Sequence, residues 1–204
     1  LKSGGGVYAD GSRILLRGFT ARETVSKKGG GIYVNGGHCT MENVRVQQSR
    51  AMTGGGGVFI DEAGTLILTE RSSVSGCSAS FGGGILVTAA SKLVADGASV
   101  VANNSALRGG GILVEKRSVA TLANNTRIVG CSAKDGGGVM IREESNLFTR
   151  SGAMIEGCSA SNQGGGLAIF GDAVADMENT TVRLCIAMYG GGILSDGCLV
   201  NFRR

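Results

Sequence analysis

The sequence predicts an all-β protein: a single right-handed parallel β-helix of about eight coils, with three short strands in each coil. Three observations predict this fold. A glycine triplet recurs eight times, at steps of 25 to 28 residues. Branched apolar residues follow each triplet at alternate positions. Two further short apolar segments then follow in most repeats, before the next triplet begins.

The glycine triplets set the period of the chain. A repeat of this length indicates one supersecondary unit that is stacked on copies of itself. Because the period is unbroken, residues 1–204 are predicted to form one continuous stack and therefore one domain. The last glycines of the eight triplets are Gly6, Gly31, Gly57, Gly84, Gly111, Gly138, Gly166 and Gly192.

The first strand of each coil directly follows the triplet. The first and third positions after the triplet hold apolar residues, for example Ile112 and Val114. A period of two is the pattern of a β-strand whose side chains alternate between its two faces. These two columns are therefore predicted to point into the core, and the column between them is predicted to point outward.

The second and third strands complete the coil. The second carries a short apolar pair, as at Leu66 and Leu68, and the third has the form Val/Ile-x-x-Cys/Asn, as at 74–77. A helical solenoid would instead need apolar residues at i, i+3, i+4 and i+7, and each glycine inside a helix would cost about 1 kcal/mol. The helical alternative is therefore excluded.

Composition indicates a thin aliphatic core and excludes some classes of partner. Hydrophobic residues make up 42% of the chain and aromatic residues only 4%, with no tryptophan. The net charge of +4 comes from 20 basic and 16 acidic residues that are spread along the chain. Because a basic stripe with interleaved aromatic residues is missing, no nucleic-acid partner is predicted. No apolar stretch has the length of a transmembrane span.

The ends of the chain carry a separate prediction. Solenoids usually end in atypical capping repeats. The chain instead opens almost inside a repeat, at Leu1, and stops at Arg204 shortly after the last strand pattern. We therefore expect residues 1–204 to be a fragment of a longer chain, or to have ends that neighbouring subunits cover.

A ladder of five residues is predicted at the end of the third strand: Cys77, Asn104, Cys131, Cys158 and Cys185. A buried cysteine behaves as a small apolar residue, and a stacked asparagine bonds to the backbone or to the next coil, so a structural core ladder is favoured. Disulfides among the last three cysteines stay open, because adjacent coils are about 4.8 Å apart. A spacing of 27 residues is unlike that of Cys-x-x-Cys sites, and no metal or cofactor is predicted.

The middle column of the first strand, which we call the outer row, is the predicted partner-binding surface. A stripe of this many large apolar side chains exceeds the apolar patch that monomers commonly expose. We expect a protein partner, or the remainder of the parent chain, to cover it. The alternative is that the coil itself buries this row. The predicted binding residues are Tyr8, Tyr33, Phe59, Leu86, Leu113, Met140 and Leu194, and Ala168 is the remaining member of the row.

Catalysis is not predicted. Glycoside hydrolysis and related chemistry need clustered carboxylates. The column after the first strand places Asp10, Asp61 and Glu115 on alternate coils, so neighbouring acids would be about 10 Å apart. The single histidine, His38, is expected in a surface turn, away from the serines that follow the ladder.

The triplet and the third-strand motif together resemble a known repeat family. Gly-Gly-Gly-Ile at 29–32 and Val-Ala-Asn-Asn at 101–104 are similar to the GGA[I/V/L] and FxxN motifs of the chlamydial polymorphic membrane proteins. Similar repeats occur in large proteins of algae and protists. Here glycine replaces the alanine, and cysteine takes the asparagine position in four of five clear repeats. The resemblance covers the whole chain and implies a pectate-lyase-like β-helix that serves as a surface adhesin passenger.

These observations predict a non-catalytic structural or interaction module, an adhesin-like repeat segment that binds a partner through the outer row. The predicted location is the cell surface or the extracellular space. One alternative is a rigid scaffold subunit of a larger multiprotein assembly. The other is a carbohydrate-active enzyme of the polysaccharide lyase or hydrolase type.

Overall fold

A computed structural model of the protein describes residues 2–203. Every regular element in this part of the chain is a β-strand, and every pairing between strands is parallel. Successive strands of each sheet come from successive coils, so the chain winds around one axis as a right-handed solenoid. The described residues contain no helix long and apolar enough to cross a membrane.

Three long sheets form the sides of the solenoid. The first sheet has eight strands: Val7–Asp10, Ile32–Asn35, Val58–Asp61, Ile85–Val87, Ile112–Val114, Val139–Ile141, Leu167–Phe170 and Ile193–Asp196. The second sheet also has eight: Arg13–Arg17, His38–Glu42, Thr65–Thr69, Lys92–Ala95, Val119–Leu122, Asn146–Thr149, Val174–Glu178 and Leu199–Arg203. The third sheet has seven: Thr20–Arg22, Arg45–Gln47, Ser73–Ser75, Val100–Ala102, Arg127–Val129, Met154–Glu156 and Thr181–Arg183.

The predicted fold class is confirmed. The described chain makes seven complete turns and adds two strands of an eighth, close to the eight predicted coils. The register follows the glycine triplets, since Ile85 pairs with Ile112 and Ile112 with Val139, each at the first position after its triplet.

A fourth segment of each coil lies between the third strand and the triplet. It forms short paired strands in some coils, namely Val25–Lys28 with Arg50–Gly54 and Ser132–Asp135 with Ser159–Gln163. In other coils it is joined by single bridges, such as Gly54 to Phe81 and Phe81 to Arg108. This segment returns the chain to the first sheet and borders its outer face.

The core is a continuous aliphatic column inside the three sheets. Ile112 from the first sheet, Leu122 from the second and Ile128 from the third are all buried within it. The columns predicted to point inward do so, because the pleat of each strand places them on the inner face. Small and branched side chains fill the narrow space, and no aromatic residue is among the buried members of this core in the described chain.

The triplet needs glycine at each position for a different reason, as 55–57 shows. Gly55 has a φ of 62°, a left-handed conformation that glycine adopts at little cost. A Cβ atom on Gly56 would lie 2.2 Å from the carbonyl oxygen of Gly83 in the next coil. A Cβ atom on Gly57 would lie 2.4 Å from Cγ1 of Val74 inside the core. The triplet therefore fixes both the turn and the close stacking of coils.

Candidate binding groove on the first sheet

The outer row points away from the core, but it is not the exposed stripe that the sequence predicts. Six of its members form an apolar cluster separate from the core: Tyr33, Phe59, Leu86, Leu113, Met140 and Ala168. Each of the six is at most 7% exposed. At the ends of the row, Tyr8 is 49% exposed and Leu194 is half-buried. The alternative, in which the coil buries this row, describes its middle correctly.

The protein's own backbone and two flanking columns of side chains cover the row. The first glycine of each triplet lies against it, so that a Cβ atom on Gly109 would lie 2.7 Å from Cβ of Leu113. Phe81, from the fourth segment, packs on the cluster from one side, and Phe170, which follows the outer row, also packs on it. The row is therefore not a flat exposed surface, and two of its members, Phe59 and Leu86, form the floor of a groove.

The open part of this groove has a volume of about 340 Å³, which is within the range of small-ligand sites. Apolar side chains form its floor, and charged side chains stand at its margins. Its lining residues are Lys28, Thr53, Gly54, Phe59, Asp61, Phe81, Leu86, Thr88, Glu115, Lys116 and Arg142. We call this feature the first-sheet groove.

One end of the groove is closed by an ion pair. Lys28 Nζ lies 3.2 Å from Oδ2 of Asp61 and 4.9 Å from the centre of the Phe59 ring. Tyr33 donates a hydrogen bond to the same carboxylate oxygen over 3.2 Å. Burial and the neighbouring Asp61 carboxylate raise the pKa of Tyr33 well above its ordinary value. Tyr33 therefore stays a neutral donor at physiological pH.

The other end is organised around the buried carboxylate of Glu115. Arg142 Nε and Nη2 lie 3.0 Å and 2.5 Å from Oε2 of Glu115, and Thr88 Oγ1 donates to Oε1 over 3.4 Å. Two N–H groups of one guanidinium donate to the same oxygen of Glu115, and these charge-assisted hydrogen bonds hold both side chains in orientation. This end of the groove therefore presents polar groups in a rigid arrangement beside an apolar floor.

The two carboxylates of the groove belong to the first and third of three consecutive coils. Thr88 occupies the corresponding position on the coil between Asp61 and Glu115. Each carboxylate is already paired with a cation. No group of three or more His, Cys, Asp and Glu side chains within residues 2–203 is arranged to hold a metal ion.

His38 lies away from this groove. It was expected in a surface turn, but it begins the second-sheet strand His38–Glu42 and is half-buried. Its Nε2 atom lies 3.4 Å from Oγ1 of Thr40.

The predicted ladder lies where the sequence places it, at the edge of the core. Cys77, Asn104, Cys131 and Cys158 are buried, and Cys185 is partly exposed. Asn104 accepts a hydrogen bond from the backbone N–H of Cys77 over 2.8 Å and donates to the carbonyl of Val74 over 3.0 Å. All cysteines in the described part of the chain are free thiols, and burial raises the pKa of Cys77 to about 11.

Sequence reasoning singled out Asp61 and Glu115 but missed Lys28 and Phe81, which stand opposite them at the margins of the groove. Lys28 and Phe81 belong to a column three residues before the last glycine of each triplet, and Gly54 is the member between them. The signal available in the sequence is that Lys28 and Phe81 belong to alternate coils, and that Asp61 and Glu115, in the column after the first strand, belong to the coils that follow each of them. Which of these side chains reach across the outer row depends on the fourth segment, whose backbone bridges recur from coil to coil while its side chains vary in charge and size.

Residues 2–146 match the model of a family described as the right handed beta helix region. No curated protein and no solved structure matches the chain significantly.

Proposed function

The chain belongs to the right-handed β-helix family, and we propose that it is a non-catalytic binding module that receives a partner in the first-sheet groove. The observation that supports this proposal is the groove itself, an apolar floor between two fixed ion pairs. Binding sites commonly combine apolar lining with a few well-placed polar groups. The lining here has that composition.

The partner that fits is a protein segment, from another protein or from the remainder of the parent chain. Phe59, Leu86 and Phe81 offer an apolar contact about the size of one or two side chains. Lys116 stands exposed at the margin, where it can pair with an acidic group of the partner. The resemblance of the repeats to those of the chlamydial polymorphic membrane proteins supports an adhesin-like role at the cell surface.

Site-specific crosslinking tests this proposal. A photo-crosslinking amino acid at Thr53, an exposed residue of the groove, is expected to capture one defined partner in the producing cells. The same amino acid at Thr121, on the outer face of the second sheet, serves as the matched control. Equal capture from both positions, or none from Thr53, would contradict a partner site in the groove.

A second candidate function is chemistry on a polysaccharide. The observation that favours it is that Asp61 and Glu115 line the same groove. Glycoside hydrolysis uses two carboxylates on either side of the scissile bond. An assay of reducing-end release on a panel of polysaccharides tests it, with Asp61→Asn and Glu115→Gln as the inactive controls. No release from any substrate would leave the binding module as the function.

A further inference from the structure

Three sequence motifs outside the groove have the form Asn-x-Ser/Thr. They begin at Asn103, Asn124 and Asn179, and none has proline at its middle position. This tripeptide is the acceptor pattern for N-linked glycosylation, and it requires an asparagine that a glycosyltransferase can reach.

The structure places all three asparagines at exposed corners of the coil. Asn124 and Asn179 lie between the second and third sheets, and Asn103 directly follows a third-sheet strand. Their φ angles are 46°, 45° and 53°, in the left-handed region that asparagine tolerates better than most residues. The side chains of these three residues make no hydrogen bond with any other described residue. The amide nitrogens are therefore free of competing contacts.

Glycines flank the corner at Asn103 on the two neighbouring coils. The corresponding positions on the preceding and following coils are Gly76 and Gly130, both with positive φ. A Cβ atom on Gly130 would lie only 2.5 Å from Oδ1 of Asn103. Oδ1 of Asn103 therefore lies over Gly130, where a larger residue would collide with the asparagine amide.

The hydroxyl residues of the three motifs differ in exposure. Ser105 and Thr181 are exposed in the folded protein. Thr126 is buried, and its hydroxyl donates to the carbonyls of Ala95 and Ala123 over 2.9 Å and 2.7 Å. Because a transferase must also recognise this hydroxyl, Asn124 can be modified only before its coil closes. Asn103 and Asn179 are free of this restriction.

We propose that Asn103, Asn124 and Asn179 are N-glycosylated, and that their glycans cover the corners beside the third sheet while the first-sheet groove stays open. This proposal rests on the proposed cell-surface role. The co-reactant is a glycan carried on a lipid diphosphate. The asparagine amide nitrogen forms a bond to the anomeric carbon as the bond from that carbon to the diphosphate oxygen breaks. The lipid diphosphate leaves with the bonding electron pair, and the amide proton passes to a base.

The placement of the three sites supports the second part of the proposal. None of them lies on the first sheet, in a triplet or in the groove lining. The groove opens on the outer face of the first sheet, whereas each asparagine adjoins an end of a third-sheet strand. Glycans at these corners would extend outward from the coil and away from Lys28 and Arg142.

Mass spectrometry of the protein purified from the cells that produce it tests the modification. Digestion with peptide N-glycosidase in heavy-oxygen water converts each glycosylated asparagine to labelled aspartate. We expect label at all three sites, with the lowest occupancy at Asn124. Unlabelled asparagine at all three sites would overturn the proposal.

A second arm tests whether the three sites are competent acceptors. The chain is secreted from a eukaryotic host behind a signal peptide, as wild type and as Asn103→Gln, Asn124→Gln and Asn179→Gln. Each variant is expected to lose one step of the glycosidase-sensitive mobility shift. Asn43→Gln, which changes an exposed corner asparagine outside any motif, should keep every step. A secreted wild-type chain without any shift would overturn the proposal.

Crosslinking from Thr53 distinguishes failure of the glycosylation proposal from failure of the proposed partner site in the groove. The yield is expected to be the same before and after removal of the glycans, because they lie on other sides of the coil. A yield that rises severalfold on deglycosylation would show that the glycans cover the groove, and it would overturn that part of the proposal. Failure of crosslinking with labelled asparagines present would count against the groove and not against the glycosylation.

Discussion

At the residue scale, Asp61 shows how the outer face of the first sheet differs from an ordinary solvated strand. Its side chain is only 11% exposed, and it is held by Lys28 and by the hydroxyl of Tyr33. A buried carboxylate that loses its partner suffers the cost of desolvation without compensation. The three side chains therefore act as one unit that closes an end of the groove.

Replacement of Lys28 tests this unit. Lys28→Met keeps the apolar stem over the Phe59 ring but removes the charge, so the free energy of unfolding should fall by about 1 kcal/mol. Urea denaturation measures the change. The double variant Lys28→Met with Asp61→Asn should lose less than the sum of the two single variants. Additive losses would show that the two residues do not interact.

The hydroxyl of Tyr33 predicts a dependence of stability on alkaline pH. Its pKa is raised in the folded protein, so the folded state favours the neutral phenol. The resulting stability is complete below the pKa of an unfolded tyrosine, about 10, and is lost as the pH rises above it. The fall in unfolding free energy between about pH 8 and about pH 11 should therefore be smaller in Tyr33→Phe than in wild type. Identical profiles for the two proteins would contradict this assignment.

At the element scale, the sequence was sufficient for the strands and insufficient for the groove. Alternation after each triplet predicted the inward columns, such as Ile112 and Val114, because burial on one face of a strand imposes a period of two. The exposure of Leu113 was predicted wrongly. Its cover comes from the backbone of Gly109 and from the return path of the fourth segment. The triplet marks Gly109 in the sequence, but its spacing does not show that the glycine backbone lies against the outer row.

Truncation of a side chain in the outer row measures how much its burial stabilises the protein. Leu113→Ala removes a fully buried side chain and should lower the free energy of unfolding by about 2–4 kcal/mol. Leu15→Ala, on the outer face of the second sheet where Leu15 is 49% exposed, should change it by about 0.5 kcal/mol or less. Thermal or urea denaturation of the two variants makes the comparison. Equal losses would mean that the row is no more buried than an ordinary outer face.

The third glycine of a triplet offers a second test at this scale. A Cβ atom on Gly138 would lie 2.5 Å from the carbonyl oxygen of Gly166 and 2.9 Å from Cγ2 of Ile155. Gly138→Ala should therefore destabilise the protein by about 1–3 kcal/mol through overpacking. Gly192 holds the same position in the last triplet, where the nearest atom is 3.9 Å away, and Gly192→Ala should be tolerated. Comparable losses in both variants would contradict close stacking as the cause, since the entropy of the unfolded chain alone favours alanine over glycine.

At the scale of the whole molecule, the repeat explains why the fold was predictable and the function was not. Each coil contacts mainly the coils before and after it, so a pattern that recurs in register specifies the entire solenoid. The groove instead depends on residues that break the pattern. Lys28, Gly54 and Phe81 share one column but differ in charge and size. The repeat pattern of the column does not reveal this variation, and only the folded structure shows which of its side chains meet across the outer row.

The coils stack at a constant spacing, so equivalent positions recur at regular intervals along the first-sheet groove. Each coil advances the groove by about 4.8 Å, so a residue's column decides which way its group faces and its coil decides how far along the axis it lies. A single substitution can therefore change one contact in the groove without moving the neighbouring side chains. Duplication of a coil of 27 residues, such as the one from Gly84 to Gly111, would lengthen the groove by one coil, or about 4.8 Å. Such a molecule can acquire a new binding specificity through single substitutions, because the spacing of its coils does not change.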